Sequence, residues 1–350
     1  MNHSVPISNQ FDLFGAHPVK KSNYDLEDIQ SADKFIVFFS GGKDSISLVL
    51  FLLDSGVPSN KIELWHHDID GDGEVFMDWE ITRDYCRAFA EAFNMPIYFS
   101  WKEGGFKGEL LRENSLTKPI VFEDQNKNLV RRGGERGKIA TRRRFPQVSP
   151  DLRVRFCSVY TKIDVATSAI IGQDRFKNST TVVLSGERGE ESTNRAKYNI
   201  IEPDRADGAG TRHRRRVIRW RPIRDWSEQE VWDIMAKYRV RPHPAYYLGW
   251  SRVSCKWCIF GNAAQFASAY AISPKQGDEI IQLESEFGVS IKRKEFLPEL
   301  IAKGTPYPAT QNKELVDLAT SKIYTSSIIL PEGEQWELPA GAFKKGCGPS

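Results

Sequence analysis

The residues best suited to chemistry form the cluster S-G-G-K-D-S, which runs from Ser40 to Ser45. Adjacent glycines let the backbone approach an anion closely, while serine hydroxyls and Lys43 add donors and positive charge. Asp44 could orient the turn or help to position a magnesium ion. The Walker pattern G-x-x-x-x-G-K-[ST] is absent from this stretch. The cluster therefore predicts a phosphate site of another kind, made by Ser40, Gly41, Gly42, Lys43, Asp44 and Ser45.

Cysteines form the second candidate for chemistry. Cys255 and Cys258 are separated by two residues, so they could hold one metal centre from a single turn, and thiolates select zinc or iron-sulfur clusters. The chain has five cysteines, an odd number, and no secretion signal. Such cysteines are better interpreted as thiols or metal ligands than as disulfides.

Alternating strands and helices must position these residues. The apolar run Phe35 to Phe39 stops at the glycines and resumes with helical periodicity from Ile46 to Leu53, which predicts a strand, a tight turn and a helix. Strands are also predicted at Ile62 to His66 and Met95 to Trp101, with a helix at Met77 to Phe93 between them. This order predicts an α/β fold with a Rossmann-like, mostly parallel sheet and helices on both faces. Ligands of such sheets bind beyond the carboxyl ends of the strands.

Two further turns follow predicted strands. Asp68 follows the second strand, where it could face a nucleotide or a magnesium ion. A later strand, Thr181 to Leu184, leads into S-G-E-R-G-E-E-S-T-N-R, which contains Gly186 and Arg195. This turn is a second candidate for contact with phosphate.

The chain divides into three parts on these patterns. Residues 1–33 are predicted to be a weakly ordered arm, and residues 34–240 a nucleotide-binding domain with a basic, glycine-rich insertion at 102–150. Residues 241–350 are predicted to form a mainly helical region that carries Cys255, Cys258 and, near its end, Cys347.

Composition limits the class of protein. The 350 residues are 40% hydrophobic, which is ample for a packed core, and no apolar run is long enough to span a bilayer. The expected location is the cytoplasm. The net charge of +3 is modest, but basic residues cluster at Arg131 to Arg144 and at Arg212 to Arg221, where Trp220 is interleaved. Clustered guanidinium groups with a stacking surface indicate nucleic-acid binding, although a nucleotide channel could explain one cluster.

The hexad after a buried strand resembles the PP-loop signature of the adenine nucleotide alpha-hydrolase superfamily. The order of the later motifs, R-F-C-S-V-Y-T-K, S-G-E-R-G-E-E-S-T-N-R, R-P-I-R-D-W-S-E-Q-E-V-W and R-V-S-C-K-W-C-I-F-G, resembles its phosphoadenosine-phosphosulfate-reductase-like branch. The resemblance implies that ATP binds with its pyrophosphate on Ser40 to Ser45 and is cleaved between the α and β phosphates. It also implies that Arg188 and Arg195 neutralise the phosphate charge, with Lys43, Asp44 and Arg188 catalytic.

One departure from that branch affects the expected chemistry. Sulfonucleotide reductases have an altered loop and depend on a cysteine in a C-terminal tail, whereas this chain keeps the lysine-containing hexad. It more closely resembles members that activate with ATP, including sulfate adenylyltransferase small subunits and the ATP pyrophosphatases of DNA phosphorothioation. Cys347 keeps a tail-cysteine mechanism open.

The resemblance also implies a third metal ligand. Cys157 lies in the motif that supplies a cluster cysteine in relatives, and Lys162 follows it as in their C-x4-K pattern, while Ser158 replaces their doubled cysteine. The favoured arrangement is a [4Fe-4S] cluster on Cys157, Cys255 and Cys258. Cys347, Cys86 or an outside group could be the fourth ligand. Zinc, or metal-free cysteines with redox or persulfide chemistry, remain open alternatives.

These observations predict an ATP- and Mg²⁺-dependent sulfurtransferase that adenylates an acceptor and inserts sulfur, most simply in DNA phosphorothioation. The expected acceptor is nucleic acid, with DNA favoured over RNA, and a cysteine desulfurase would donate the sulfur. One alternative is an enzyme of sulfate assimilation, either a sulfate adenylyltransferase or a sulfonucleotide reductase. Another is a nucleic-acid-binding module that senses ATP.

Overall fold

The computed structural model describes residues 24–149, 151 and 153–344. Its strands are β1 Lys34–Phe38, β2 Ile62–Asp68, β3 Ile97–Lys102, β4 Ile120–Glu123, β5 Leu129–Arg132, β6 Thr180–Leu184, β7 Ile201–Pro203 and β8 Arg216–Trp220. Its helices are α1 Leu26–Gln30, α2 Lys43–Asp54, α3 Thr82–Ala92, α4 Gly105–Leu110, α5 Phe156–Ser158, α6 Asp164–Ile171, α7 Glu228–Lys237, α8 Pro244–Tyr247, α9 Ala263–Ile272, α10 Pro274–Phe287, α11 Leu297–Lys303 and α12 Lys313–Thr320. A π-helical turn, Val159–Ile163, joins α5 to α6.

All eight strands belong to one sheet in the order β5-β4-β3-β2-β1-β6-β8-β7. Five central strands, β3, β2, β1, β6 and β8, are parallel, and the outer pairings are antiparallel. The chain passes from β1 outward through β2 to β3, then returns to β6 on the other side of β1. This reversal creates a crevice between the carboxyl ends of β1 and β6, where α/β sheets bind ligands. The expectation of a Rossmann-like α/β fold is confirmed.

The basic insertion differs from the expected long loop. It contains α4 and a hairpin of β4 and β5, and β4 extends the sheet by antiparallel pairing with β3. Ile120, Val121 and Phe122 are buried there. This apolar run is too short for a periodicity test to identify, so only tertiary pairing reveals the strand.

The helix predicted from Met77 begins later, at Thr82. One carboxylate oxygen of Asp70 accepts hydrogen bonds from the N–H groups of Phe76, Met77 and Asp78, at 3.0, 2.9 and 2.8 Å. Because a side chain satisfies these backbone donors, the segment forms a tight loop beyond β2 instead of a helical turn.

The C-terminal helices share one hydrophobic core with the sheet. A single buried cluster contains Leu48 of α2, Phe89 of α3, Trp232 of α7, Ile280 of α10 and Leu300 of α11. The mainly helical character predicted after residue 240 is confirmed, while the domain boundaries themselves stay predictions. Of the predicted N-terminal arm, residues 1–23 lie outside the described residues, and α1 follows with a capping box from Asp25.

No helix within the described ranges combines the length and apolar composition that a bilayer crossing requires.

Candidate active site

Two turns meet at the crevice between β1 and β6. Val37 of β1 and Leu184 of β6 are partners in register, so the segments that follow both strands leave the sheet side by side. The turns touch: a Cβ atom added to Gly186 would lie 3.0 Å from the Cβ atom of Asp44. That distance is shorter than carbon atoms normally approach, so a side chain at position 186 would force the two turns apart by a few tenths of an ångström.

The first turn is shaped for an anion. Gly41 has φ +74°, a left-handed conformation that side chains rarely adopt, and α2 begins two residues later. The Ser45 hydroxyl accepts the Ser40 N–H at 3.2 Å and donates to the Gly42 carbonyl at 2.9 Å. The first N–H groups of a helix lack intrahelical acceptors, so the start of α2 presents donors and the positive end of its dipole.

A pocket of about 150 Å³ lies at these two turns, and we call it the phosphate pocket. Six of the residues expected at the site line it, namely Ser40, Gly42, Asp44, Ser45, Gly186 and Arg195. Five other residues complete its wall: Phe38, Glu187, Tyr246, Arg252 and Val253.

Two expected catalytic side chains do not line the phosphate pocket. Lys43 is 2% exposed, and its ammonium group donates to the carbonyl of Ser251 at 3.0 Å. Arg188 is 3% exposed, and its Nε atom lies 2.6 Å from Oδ1 of Asp44. Both side chains bond to other parts of the protein, and their expected contact with phosphate stays a prediction.

Asp44 is held as a carboxylate by these cations. Burial acts to raise the pKa of Asp44, but the charges of Lys43 and Arg188 outweigh burial, so the pKa lies below its usual value. The charged form of Asp44 therefore joins the first turn to the second through Arg188.

Asp68 lies outside the phosphate pocket. It lines a separate pocket of about 250 Å³, and its Oδ1 atom accepts the N–H groups of Asp70 and Gly71 at 3.2 and 3.1 Å. Its other oxygen lies 3.5 Å from Arg83. The observed role of Asp68 is to hold the loop after β2, and contact with a nucleotide stays a prediction.

The three cysteines predicted to act together share a larger cavity of about 740 Å³, the thiol cavity. Cys157, Cys255 and Cys258 all line it, and so does Lys162. Its wall includes Glu187, Arg195 and Arg252, which also line the phosphate pocket. The two spaces therefore adjoin across these three residues, which we call the shared wall.

The π-helical turn explains why Cys157 and Lys162 face the same cavity. Hydrogen bonds in a π-helix join residues five apart, so residues at that spacing lie nearly above one another. Cys157 precedes the turn and Lys162 lies within it, five residues later. Lys162 makes no hydrogen bond or salt bridge to any described residue.

Burial opposes ionisation of the thiols. It raises the pKa of Cys157 to about 11, with a further contribution from Cys258, and it raises the pKa of Cys255 well above its usual value. Thiols in this environment need a positive partner to become thiolates. Within the described residues, no three His, Cys, Asp or Glu side chains converge as a site for one metal ion. Three thiols that line one cavity supply the donor type that iron-sulfur clusters and zinc both bind.

The other two cysteines lie elsewhere. Cys86 is fully buried next to Gly41, with its sulfur 3.5 Å from Nδ1 of His66, and it does not line the thiol cavity. Cys347 lies outside the described residues.

A buried ion pair anchors the segment between Cys255 and Cys258. Lys256 donates to both carboxylate oxygens of Glu80 at 2.9 Å and to the hydroxyl of Ser273 at 2.8 Å. These bonds join the cysteine segment to the loop after β2 and to the start of α10.

The basic runs are partly neutralised within the protein. In the first run, Arg142 and Arg143 bind Glu109 and Glu113, and in the second, Arg221 binds Glu187. Trp220 is 1% exposed, so it cannot offer the stacking surface expected of it. Several exposed cations of the two runs have no salt bridge to described residues: Arg132, Arg136, Lys138, Arg144, Arg212 and Arg214.

Sequence reasoning assigned no role to three residues of the site. Glu187 was visible in the second turn, and Arg252 stands three residues before Cys255, but neither position marks its side chain as part of a pocket. Tyr246 belongs to α8, far along the chain from the turn that it contacts.

A family model and several curated proteins match parts of this chain. Residues 141–260 match the family described as the phosphoadenosine phosphosulfate reductase domain. The adenosine 5′-phosphosulfate reductase of Allochromatium vinosum is 28% identical over 102 residues, which are 29% of this chain and 34% of the relative. A 37.8 kDa protein in the gpa 5′ region of Escherichia phage 186, described as uncharacterized, is 29% identical over 135 residues, or 39% of each chain. The chain thus spans about a third of the length of these curated relatives.

Among solved structures, FMN adenylyltransferase of Candida glabrata, with FMN and an ATP analogue, aligns at a TM-score of 0.38 with 10% identity. The alignment covers 86% of this chain and 79% of that one. A likeness this weak says nothing about activity.

Proposed function

We propose that this chain, which belongs to the phosphoadenosine-phosphosulfate-reductase-like branch of the PP-loop superfamily, is an ATP-dependent sulfurtransferase. One observation carries the proposal: the phosphate pocket and the thiol cavity adjoin across the shared wall of Glu187, Arg195 and Arg252. A nucleotide with its pyrophosphate in the pocket would present its α phosphate at this wall, within reach of chemistry in the cavity.

The first step would be adenylation. An oxygen of the acceptor attacks the α phosphorus of ATP, the bond to the β phosphate breaks, and pyrophosphate leaves. The N–H groups at the start of α2, the hydroxyls of Ser40 and Ser45, and the guanidinium groups of Arg195 and Arg252 would stabilise the leaving charge. Asp44 and Glu187, which line the pocket, would supply carboxylate oxygens for Mg²⁺.

The second step would be sulfur transfer in the thiol cavity. Hydrosulfide attacks the acceptor atom that carries the adenylate, the bond to the adenylate oxygen breaks, and AMP leaves. Lys162 would face the incoming sulfur anion, since its ammonium group has no bonded partner among the described residues. Cys157, Cys255 and Cys258 would hold a [4Fe-4S] cluster, which when bound would supply a place for sulfide. A cysteine desulfurase is the proposed sulfur source: it would deliver the sulfur as a persulfide, and a thiol reductant would release it as hydrosulfide while being oxidised to a disulfide.

Nucleic acid, with DNA favoured, is the proposed acceptor. The exposed cations Arg136, Lys138 and Arg144 lie on the segment that continues into Pro146, Val148 and Ser149, and these last three residues line the thiol cavity. A polyanion bound along this segment would be led to the cavity, because phosphate charge attracts such cations.

The test supplies purified protein with MgATP, sodium sulfide and one of three acceptors: a DNA duplex, RNA or sulfate. We expect pyrophosphate and AMP in amounts that match the sulfur incorporated into DNA. Cys255→Ser should stop incorporation while pyrophosphate release continues, and Ser45→Ala should slow pyrophosphate release by about tenfold, as the loss of a hydrogen bond to a charged group would.

Ser47→Ala is the matched control, since Ser47 also lies on α2 but donates to the carbonyl of Val231. Release of ADP and phosphate would contradict the proposal. Sulfur incorporated only into RNA would show that RNA is the acceptor. Pyrophosphate released only with sulfate would support sulfate adenylation instead.

A further inference from the structure

The phenol of Tyr246 lies between the first phosphate turn and the cysteine segment. Its oxygen accepts the backbone N–H of Lys43, the first residue of α2, at 2.9 Å. The same oxygen accepts the backbone N–H of Val253 at 3.4 Å, two residues before Cys255. One atom therefore connects the loop that faces phosphate to the segment that carries two of the thiols.

A second connection runs in parallel with the first. The Lys43 ammonium group donates to the carbonyl of Ser251 at 3.0 Å. A Cβ atom added to Gly42 would lie 3.4 Å from the Cβ atom of Val253, so a side chain at position 42 would contact this segment. The segment 251–253 is thus bonded directly to the side chain of Lys43 and is connected to the backbone of Lys43 through the Tyr246 oxygen.

Tyr246 is fixed in this position by its surroundings. It is 1% exposed, and its ring packs edge to face on Trp232 with 5.2 Å between the ring centroids. A phenol oxygen can accept two hydrogen bonds and still donate its own proton. The O–H group of Tyr246 has no acceptor among the described residues, although the residue lines the phosphate pocket.

We propose that Tyr246 is a positioning residue that transmits occupancy of the phosphate pocket to the cysteine segment 251–261. A phosphate oxygen in the pocket accepts the phenol O–H and, with Mg²⁺, fixes the oxygen that holds the Val253 N–H. The cysteine segment then becomes more rigid when pyrophosphate or ATP is bound. This inference rests on the proposed function only in requiring that phosphate occupies the pocket.

The test is hydrogen-deuterium exchange, followed by mass spectrometry, with and without saturating magnesium pyrophosphate. In the wild type, we expect exchange to slow by about fivefold at 251–261, the effect of one strengthened hydrogen bond, and also at Ser40 to Ser45. In Tyr246→Phe, exchange at Ser40 to Ser45 should still slow, while the effect at 251–261 should fall to within the error of the measurement.

Tyr247→Phe is the matched control, because Tyr247 is on the same helix and lines neither space. It should behave as the wild type. Protection of 251–261 that survives in Tyr246→Phe would show direct contact with the ligand and overturn the inference. Wild-type protein protected only at Ser40 to Ser45 would overturn it too, even if Tyr246→Phe failed to fold. Wild-type protein that binds neither pyrophosphate nor MgATP would instead contradict the proposed function, and the inference with it.

Discussion

The phosphate pocket and the thiol cavity adjoin, but they differ in how their charged side chains are paired with other protein groups. In the pocket, Asp44 is paired with Arg188 and Glu187 with Arg221, each at 2.6 Å. Both arginines of the shared wall bind Glu191. In the thiol cavity, Lys162 has no salt bridge to described residues, and Nε of Arg155 is buried without a hydrogen-bond partner.

The difference suggests two kinds of site. A pocket whose charges are already paired keeps its shape before the ligand arrives, which is the arrangement that stabilises a developing charge without reorganisation. A cavity lined by cations that have no salt bridge to described residues can instead attract an anion that enters it. The paired charges of the pocket should therefore contribute to stability, whereas Lys162 in the cavity should contribute to anion binding and little to stability.

Removing Arg188 should have a large effect on stability. Arg188→Ala leaves the buried carboxylate of Asp44 without its nearest partner, so we expect the free energy of unfolding to fall by about 3 kcal/mol. Urea unfolding measures this change. Arg153→Ala is the control, because Arg153 pairs with Asp151 on the surface and should contribute nothing measurable. If Arg188→Ala and Arg153→Ala lowered the free energy of unfolding equally, the buried ion pair would stabilise the protein no more than the surface pair does.

Lowering the pH should reduce the stability of the protein through His243, which lies at the start of the helix that carries the phosphate pocket's Tyr246. Burial, with a smaller contribution from His66, lowers the pKa of His243 to about 3, and His243 accepts the N–H of Ala245 at the start of the helix that carries Tyr246. Below its ordinary pKa the unfolded chain takes up a proton that the folded chain does not. Stability therefore rises with pH through the window from about 3 to about 6.5 and falls on acidification, with a contribution of about 1.4 kcal/mol per pH unit from this residue.

His243→Asn should remove that contribution while keeping a side-chain acceptor for Ala245. Urea unfolding followed by circular dichroism, repeated across the window, gives the slope for each protein. His66 and His67 also have lowered pKa values, about 4 and about 3, so part of the slope should persist. An unchanged slope in His243→Asn would show that His243 takes up its proton at the same pH in the folded and the unfolded protein.

Lys162→Met should have the smallest effect on stability. Its ammonium group has no bonded partner to lose, so we expect the free energy of unfolding to change by less than about 1 kcal/mol, while sulfur incorporation falls sharply. The matched control is Lys256→Met, which breaks a buried pair with Glu80 and should cost about 3 kcal/mol. If Lys162→Met lowered the free energy of unfolding as much as Lys256→Met, the charges of the thiol cavity would be as strongly paired as those of the pocket.

The sequence predicted those parts of the site that depend on local pattern. The apolar run, the glycines and the periodic segment after them place a turn between β1 and α2, and the second turn after β6 follows from the same logic. The spacing of Cys255 and Cys258 similarly predicts that they share one place in the fold.

Side-chain direction and distant pairing could not be predicted from the sequence. Lys43 points toward Ser251 and Arg188 toward Asp44 because residues more than a hundred positions away supply their partners. The arginines of the basic insertion looked available for nucleic acid, yet Arg142 is paired with Glu109, which lies on α4. Tyr246 could not be identified because no local pattern marks a phenol that accepts two distant N–H groups.

The π-helical turn Val159–Ile163 has a consequence for chains of different length. A single π turn amounts to one extra residue accommodated within an α-helix. Deleting one residue there would restore α-helical winding and rotate Cys157 by about 100° relative to everything that follows. A homologue that keeps both the thiol and the lysine could then still lack function. The two side chains face the same cavity only if the number of residues between them is unchanged.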